Sequence, residues 1–192
     1  MTPSKLHSQL PSIFNLFESR QKLFDIAIKN LQLKHVKEEI DFENTKAQIK
    51  EQYLLQPIML GDPIINSHRT QNKQYGTSAR GGDRIEEVIT VEVEVPLTGH
   101  AELLGYIPNG FSFSSSDTSI FQPTGNSIKL EIDVLSLDKE KVLEKTNNAL
   151  KTTRSLIRQS NPSIEKWSAD QEKIIEELLT KKRIEIMKFY SN

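Results

Sequence analysis

All eight glycines of this 192-residue chain lie between Gly61 and Gly125, and the 45 residues from Ser12 to Gln56 contain neither glycine nor proline. Glycine disfavours helix interiors and serves turns, so this distribution predicts a turn-rich centre flanked by helical ends. The predicted fold class is α+β: a long N-terminal amphipathic helix, a small antiparallel β module, and a C-terminal antiparallel helical hairpin that packs back as a bundle. Four segments follow: 1–60 as the long helix, 61–84 as a polar basic linker, 85–136 as the β module and 137–192 as the hairpin.

Apolar residues in the first segment recur at helical spacing, first at Phe17, Phe24, Ile28 and Leu31, then at Leu33, Val36, Ile40, Ala47 and Leu54. The step from Leu31 to Leu33 breaks phase and predicts a kink. A straight helix of this length would run about 67 Å at 1.5 Å per residue, more than a small domain covers, so the segment calls for a partner helix of coiled-coil type. At the other end Leu143, Leu150 and Ile157 stand seven apart, and a second stripe runs through Ile164, Trp167, Gln171, Ile174 and Leu178. Asn161-Pro162 between them is expected to end one helix and turn the chain into the next, because the residue before proline is biased out of the α region.

The centre alternates strictly. Ile89, Val91, Val93 and Val95 face one way and Thr90, Glu92 and Glu94 the other; Ile128, Leu130, Ile132 and Val134 repeat the pattern against Lys129, Glu131 and Asp133. Period two means strands with one buried and one wet face. Asn109-Gly110 and Thr124-Gly125-Asn126 are turn chemistry, and short strands near 111–113 and 119–121 are expected to complete four antiparallel strands. His68–Arg84 has no aliphatic residue beyond Ala79 and reads as a mobile connection.

Charge is unevenly spread. Residues 85–136 carry one basic and eight acidic side chains, a net of -7, and the rest of the chain sums to +6, which hides the asymmetry in a total of -1. The absence of cysteine removes disulfides, thiolate metal sites and cysteine nucleophiles, and fits a reducing cytoplasm. No apolar run approaches the roughly 18 residues a membrane helix needs, so no membrane partner is expected.

Few residues invite chemistry. His7, His35, His68 and His100 stand at no metal-ligand spacing, and no phosphate-binding glycine loop or nucleophile elbow occurs. No cofactor is called for, and no catalytic residue can be assigned. The outward carboxylates Glu92, Glu94, Glu131 and Asp133 are the candidates for a divalent cation, and hence for phosphodiester cleavage. The plainer reading is a solvated sheet face, or acids facing the basic helices. Like charges on adjacent strands repel, so the two strands are expected either not to be direct neighbours or to be paired with lysines from elsewhere. Arg69, Lys73, Arg80 and Arg84 in the linker, with Lys181, Lys182 and Arg183 near the end, are the candidates for phosphate contact. His100, Glu102 and Tyr106 on the connection after Pro96, together with Trp167, are candidates for partner binding.

Val91–Phe111 reads VEVEVPLTGHAELLGYIPNGF. With the NSIKLEIDV strand and the NPSIEKW…LLTKKRIEI helix, it resembles a family of uncharacterised bacterial proteins whose shared run is V-x-V-x-VP-F-x-G-D-x-ELF-x-x-x-P-x-x-F. Val95, Pro96, Gly99, Glu102, Leu103, Pro108 and Phe111 match. His100 stands where the family tends to have aspartate, and Leu97 and Leu104 replace two aromatics. The similarity spans roughly residues 85–190. Such proteins accompany nucleases or other effectors in bacterial operons, antiviral ones among them. The resemblance therefore implies a partner role and assigns no activity. The functional expectation is a non-enzymatic cytoplasmic interaction or assembly subunit that forms homo-oligomers or holds an effector. A metal-dependent nuclease or nucleic-acid-binding accessory protein is the alternative.

Overall fold

The computed structural model describes residues 10–75, 84–111 and 120–191, with the side chains of Tyr75 and Arg84 left aside. The expected short strands near 111–113 and 119–121 fall largely outside these residues; Ile120 and Phe121, which are described, are not in a strand. The α+β class holds, with four α-helices and a four-stranded antiparallel sheet among the described residues. The described residues divide into two compact units, one made of 58–75, 84–105 and 120–157, the other of 10–57, 106–111 and 158–191.

In the first unit, β3 (Arg84–Thr98) is the strand to which the other three bond. β1 (Met59–Leu60) and β2 (Ile64–Tyr75) lie along β3 in near-continuous antiparallel register, Met59 opposite Thr98 and Tyr75 opposite Arg84, with a bulge between Ile65 and Ser67. The interruption at Gly61 is a close approach. Its amide donates to the Pro96 carbonyl at 2.8 Å, and a Cβ there would stand 3.3 Å from the Pro96 ring. β4 (Ser127–Val134) pairs with β3 from Pro96 to Ile89. It is entered through Thr124-Gly125-Asn126, where Gly125 takes a φ of 62° that side chains resist.

The apolar sides of the alternation are buried as expected at Val91, Val93 and Val95 on β3 and at Ile128, Leu130, Ile132 and Val134 on β4, whereas Ile89 is half-buried and Thr90, expected on the wet face, is fully buried. α3 (Lys139–Ala149) packs on β4, capped by Asp138, whose carboxylate accepts the amides of Glu140 at 3.0 Å and Lys141 at 3.4 Å. Its buried row is Val142, Thr146 and Leu150, one position off the expected Leu143.

The linker reading fails over Ile64–Tyr75, which is strand rather than mobile connection. β2 escapes notice because it buries neither face. His68, Arg69, Thr70 and Asn72 are all exposed, so no apolar period exists to be read.

The second unit is helical. The expected single N-terminal helix is two, α1 (Ile13–Lys29) and α2 (Glu39–Tyr53), separated by a 3-10 turn at Leu33–His35. The expected kink is thus a full break. His35 helps close it, its Nδ1 accepting the Gln32 amide at 3.0 Å and its carbonyl accepting the Thr45 hydroxyl at 3.1 Å. The helical phase does not carry across: Ile40, placed in the stripe by spacing, is 68% exposed, while Phe42 and Ile49 turn inward.

Phe24 and Ile28 from α1, Val36 from the break, Phe42 and Ile49 from α2, and Ile175, Leu179 and Ile186 from α4 form one buried cluster. Each such side chain contributes roughly 1.5–3 kcal/mol on burial. The chain's own last helix therefore packs on α1 and α2, as the expected bundle requires.

That last helix, α4, runs unbroken from Lys151 to Tyr190 with Pro162 inside it. The C-terminal hairpin is not formed at Asn161-Pro162; the chain turns instead at Leu150, between α3 and α4. Proline lacks an amide for the Arg158 carbonyl, and the loss is local because the helix resumes on both sides. Ser160, two residues earlier, is buried with no partner for its hydroxyl among the described residues. A proline that interrupts a helix rather than making a turn has a testable sign. Pro162→Ala should raise stability by about 1–2 kcal/mol, read as a higher Tm in thermal circular dichroism. A loss of stability would mark a turn proline.

Candidate interaction surface

The polar face of the sheet brings together groups the sequence offered separately. Glu92 on β3 and Glu131 on β4 are direct cross-strand neighbours, a pairing that is unfavourable by itself. Arg69 of β2 reaches across β3 to resolve it. Its two terminal nitrogens donate to Glu92 at 3.3 Å and to Glu131 at 2.8 Å. Ser67 adds a 2.6 Å bond to Glu92. One turn of the ladder further on, Lys73 meets Asp133 at 2.6 Å, while the fully buried Thr90 donates to the same carboxylate at 2.6 Å and takes the amide of Gln71. Lys145 of α3 closes the corner on the Asp133 carbonyl at 2.7 Å.

Strand β2 is thus tied down by its ladder to β3 and by two cations that span to the acids of β4. The titration of the face follows from these contacts. Hydrogen bonding to Glu131 is the main reason Arg69 holds its proton more tightly than usual. Burial pushes Asp133 up, but the bonds from Lys73 and Thr90 and the nearby positive charges outweigh it, leaving the carboxyl below its ordinary range. Glu94 is lowered by Ser127 and Asn66, the latter at 3.0 Å, and lies opposite Lys129 rather than with the other acids.

Among the described residues, no group of three or more His, Asp or Glu side chains is placed to hold a metal ion. Glu92, Glu131 and Asp133 face cations of their own chain, and Arg69 and Lys73 are spent on those acids. The C-terminal basic cluster is also largely engaged. Lys182 pairs with Glu185 at 3.4 Å. Arg183 donates to the Val36 carbonyl at 3.0 Å and to Glu39 at 2.7 Å, with its guanidinium 4.5 Å above the Phe42 ring. Arg183 is a clamp on the break between α1 and α2, and Lys181 alone of the three is exposed without such a tie. Arg80 and the Arg84 side chain lie outside the described residues.

Of the candidates for partner binding, His100 precedes and Glu102 lies within a 3-10 turn, Ala101–Gly105, whose Leu103 and Leu104 are buried, in the first unit. Tyr106 belongs to the second unit. Trp167 stacks on Phe17 with ring centres 4.9 Å apart, which makes it packing for α1 and α4. Also in the second unit, Lys50 bonds Glu176 at 2.6 Å and Glu172 at 2.9 Å, beside an open groove of about 400 Å³ that includes Leu54, Leu55 and Ser168.

The residues that spacing missed are Gln71, Thr90 and Lys145. Each matters through a neighbour on another strand or helix, and period-two reading of one strand carries no such information. Comparison with family models, with curated proteins and with solved structures gave no match.

Two outcomes follow. Arg69→Ala leaves Glu92 and Glu131 facing each other unscreened, so amide exchange over Ile64–Lys73 should quicken several-fold while the helical core is unmoved, as mass spectrometry would read. The lowered carboxyls Glu94, Asp133, Asp138 and Glu176 stabilise the fold above the ordinary carboxylate range and lose that contribution as pH falls through their folded values. Tm should therefore hold steady down to about pH 5 and fall below about pH 4, less steeply in Asp133→Asn.

Proposed function

We propose that this chain is a non-enzymatic interaction or assembly subunit of a bacterial complex, cytoplasmic, with a protein partner that is an effector or a neighbouring subunit. Antiviral defence is the setting implied by the resemblance of residues 85–190. One observation carries the reading. β2 is a twelve-residue strand, exposed on both faces and bonded on one edge, and among the described residues no strand occupies its other edge. A free edge of that length is a template for another strand, and proteins that do not use such edges blunt them.

The charged groups support the same reading by being spent. A nuclease or a nucleic-acid-binding accessory would need Glu92, Glu131 and Asp133 open to a cation, or Arg69 and Lys73 open to phosphate. Here the two sets pair with one another. No helix among the described residues is long and apolar enough to cross a membrane.

The test is purification of the tagged full chain from cells that express it naturally, with mass spectrometry of what stays bound. A stoichiometric partner, either a second protein or a second copy of the chain, whose removal increases amide exchange over Ile64–Lys73, is the expected result. A chain that purifies as a monomer with no other protein, and whose β2 exchange is indifferent to cell extract, overturns the reading.

A further inference from the structure

We infer that the occupant of the free β2 edge is a second copy of this chain, paired antiparallel about a two-fold axis at Thr70. This rests on the reading of β2 as an interaction edge and names its partner.

Three features select a second copy over a foreign peptide. First, β2 is already extended along β3, so neither partner has to be ordered on binding. Second, β2 is polar from Ser67 to Lys73, with His68, Thr70 and Asn72 exposed on one side and Ser67 and Arg69 exposed beside the half-buried Lys73 on the other, so this stretch offers no apolar pockets by which a foreign strand's side chains would be chosen. Third, the register that centres the pairing on β2 opposes no like charges. A two-fold axis normal to the sheet keeps every side chain on its own face. With that axis at Thr70, Thr70 faces its copy, Arg69 faces Gln71, His68 faces Asn72 and Ser67 faces Lys73, with no like charges opposed. Moving the axis to Arg69 sets Arg69 against its copy, and moving it to Gln71 sets Arg69 against Lys73, each an unfavourable cross-strand pair.

The usual guards of an edge are absent from this stretch. It contains no proline, and the bulge lies before it, between Ile65 and Ser67. Its two cations are drawn the other way, across β3 to the acids Glu92, Glu131 and Asp133. The pairing would join two sheets edge to edge, with the same ladder of salt bridges on each side of the axis.

The cysteine-free sequence makes the register directly measurable. Residues opposed in an antiparallel pair have Cα atoms about 4.5–5.5 Å apart, within disulfide reach. Under mild oxidation Thr70→Cys should cross-link to a dimer, and Glu144→Cys, exposed on α3, should not. His68→Cys and Asn72→Cys should cross-link to each other when mixed, and neither to itself. Thr70→Lys places like charges at the axis and should weaken the dimer at least tenfold by light scattering, with its circular dichroism unchanged.

A wild-type chain that stays monomeric at tens of micromolar, or a Thr70→Cys yield no greater than that of Glu144→Cys, overturns the inference. A dimer whose cross-links fall elsewhere does so too. If the chain is monomeric while a different protein co-purifies and protects β2, the second copy is excluded and the interaction reading stands. If neither occurs, both fall.

Discussion

Glu92 and Glu131 stand opposite one another on adjacent strands, and the sheet tolerates that register because Arg69 reaches across from a third strand to hold both. Much of the first unit follows from this need. The acidic bias of residues 85–136 is compensated by cations that the chain places just ahead of it, on β2. Those cations tie down a strand that has no apolar face of its own. Thr90 and Gln71 extend the arrangement to Asp133 and Lys73, and Lys145 carries it to α3. Single exposed ion pairs are weak, since solvent screens them and side-chain entropy opposes them. A network on a strand already held by backbone bonds is different, because the ladder has already restricted the side chains that pair.

The helical unit solves its own problem with a cation as well. The break between α1 and α2 leaves the Val36 carbonyl to be satisfied, and Arg183 from α4 donates to it and to the Glu39 carboxylate at the start of α2 while lying over Phe42. In both units, side chains that looked like a basic patch are internal ties. Free charge on a sequence is therefore poor evidence of a ligand until its neighbours are known. Among the described residues the outer edge of β2 is left without a strand, and a backbone edge recognises another backbone. That is why the functional reading rests on β2 rather than on any cluster of titratable groups.

Much of the architecture was legible in the residues. The alternation of Ile89–Val95 and of Ile128–Val134 names the buried and wet faces of two strands, because burial of one face leaves a period that needs no knowledge of neighbours. Gly125 marks its turn for an equally local reason, the positive φ that a side chain resists. Where reading failed, the deciding term was distant. Pro162 is tolerated within α4 although its local preference is to end a helix. Ile40 points outward because the break at Leu33–His35 resets the helical phase, and the cover that would select a face comes from a segment more than a hundred residues away.

The sequence by itself determined the α+β class, the faces of β3 and β4, the charge asymmetry and the presence of long amphipathic helices. Each of these depends on the periodicity or composition of a continuous stretch. Only the tertiary structure decided that β2 is a strand, that β3 and β4 are neighbours, that the acids and cations of the sheet cancel, and that α4 covers α1 and α2. Each of these is a pairing between distant segments, set by the ladder register and by the shape of the buried surface. The candidate interaction edge belongs to this second group. β2 has no pattern of its own, and it becomes an edge only because β3 is there to bind its other side.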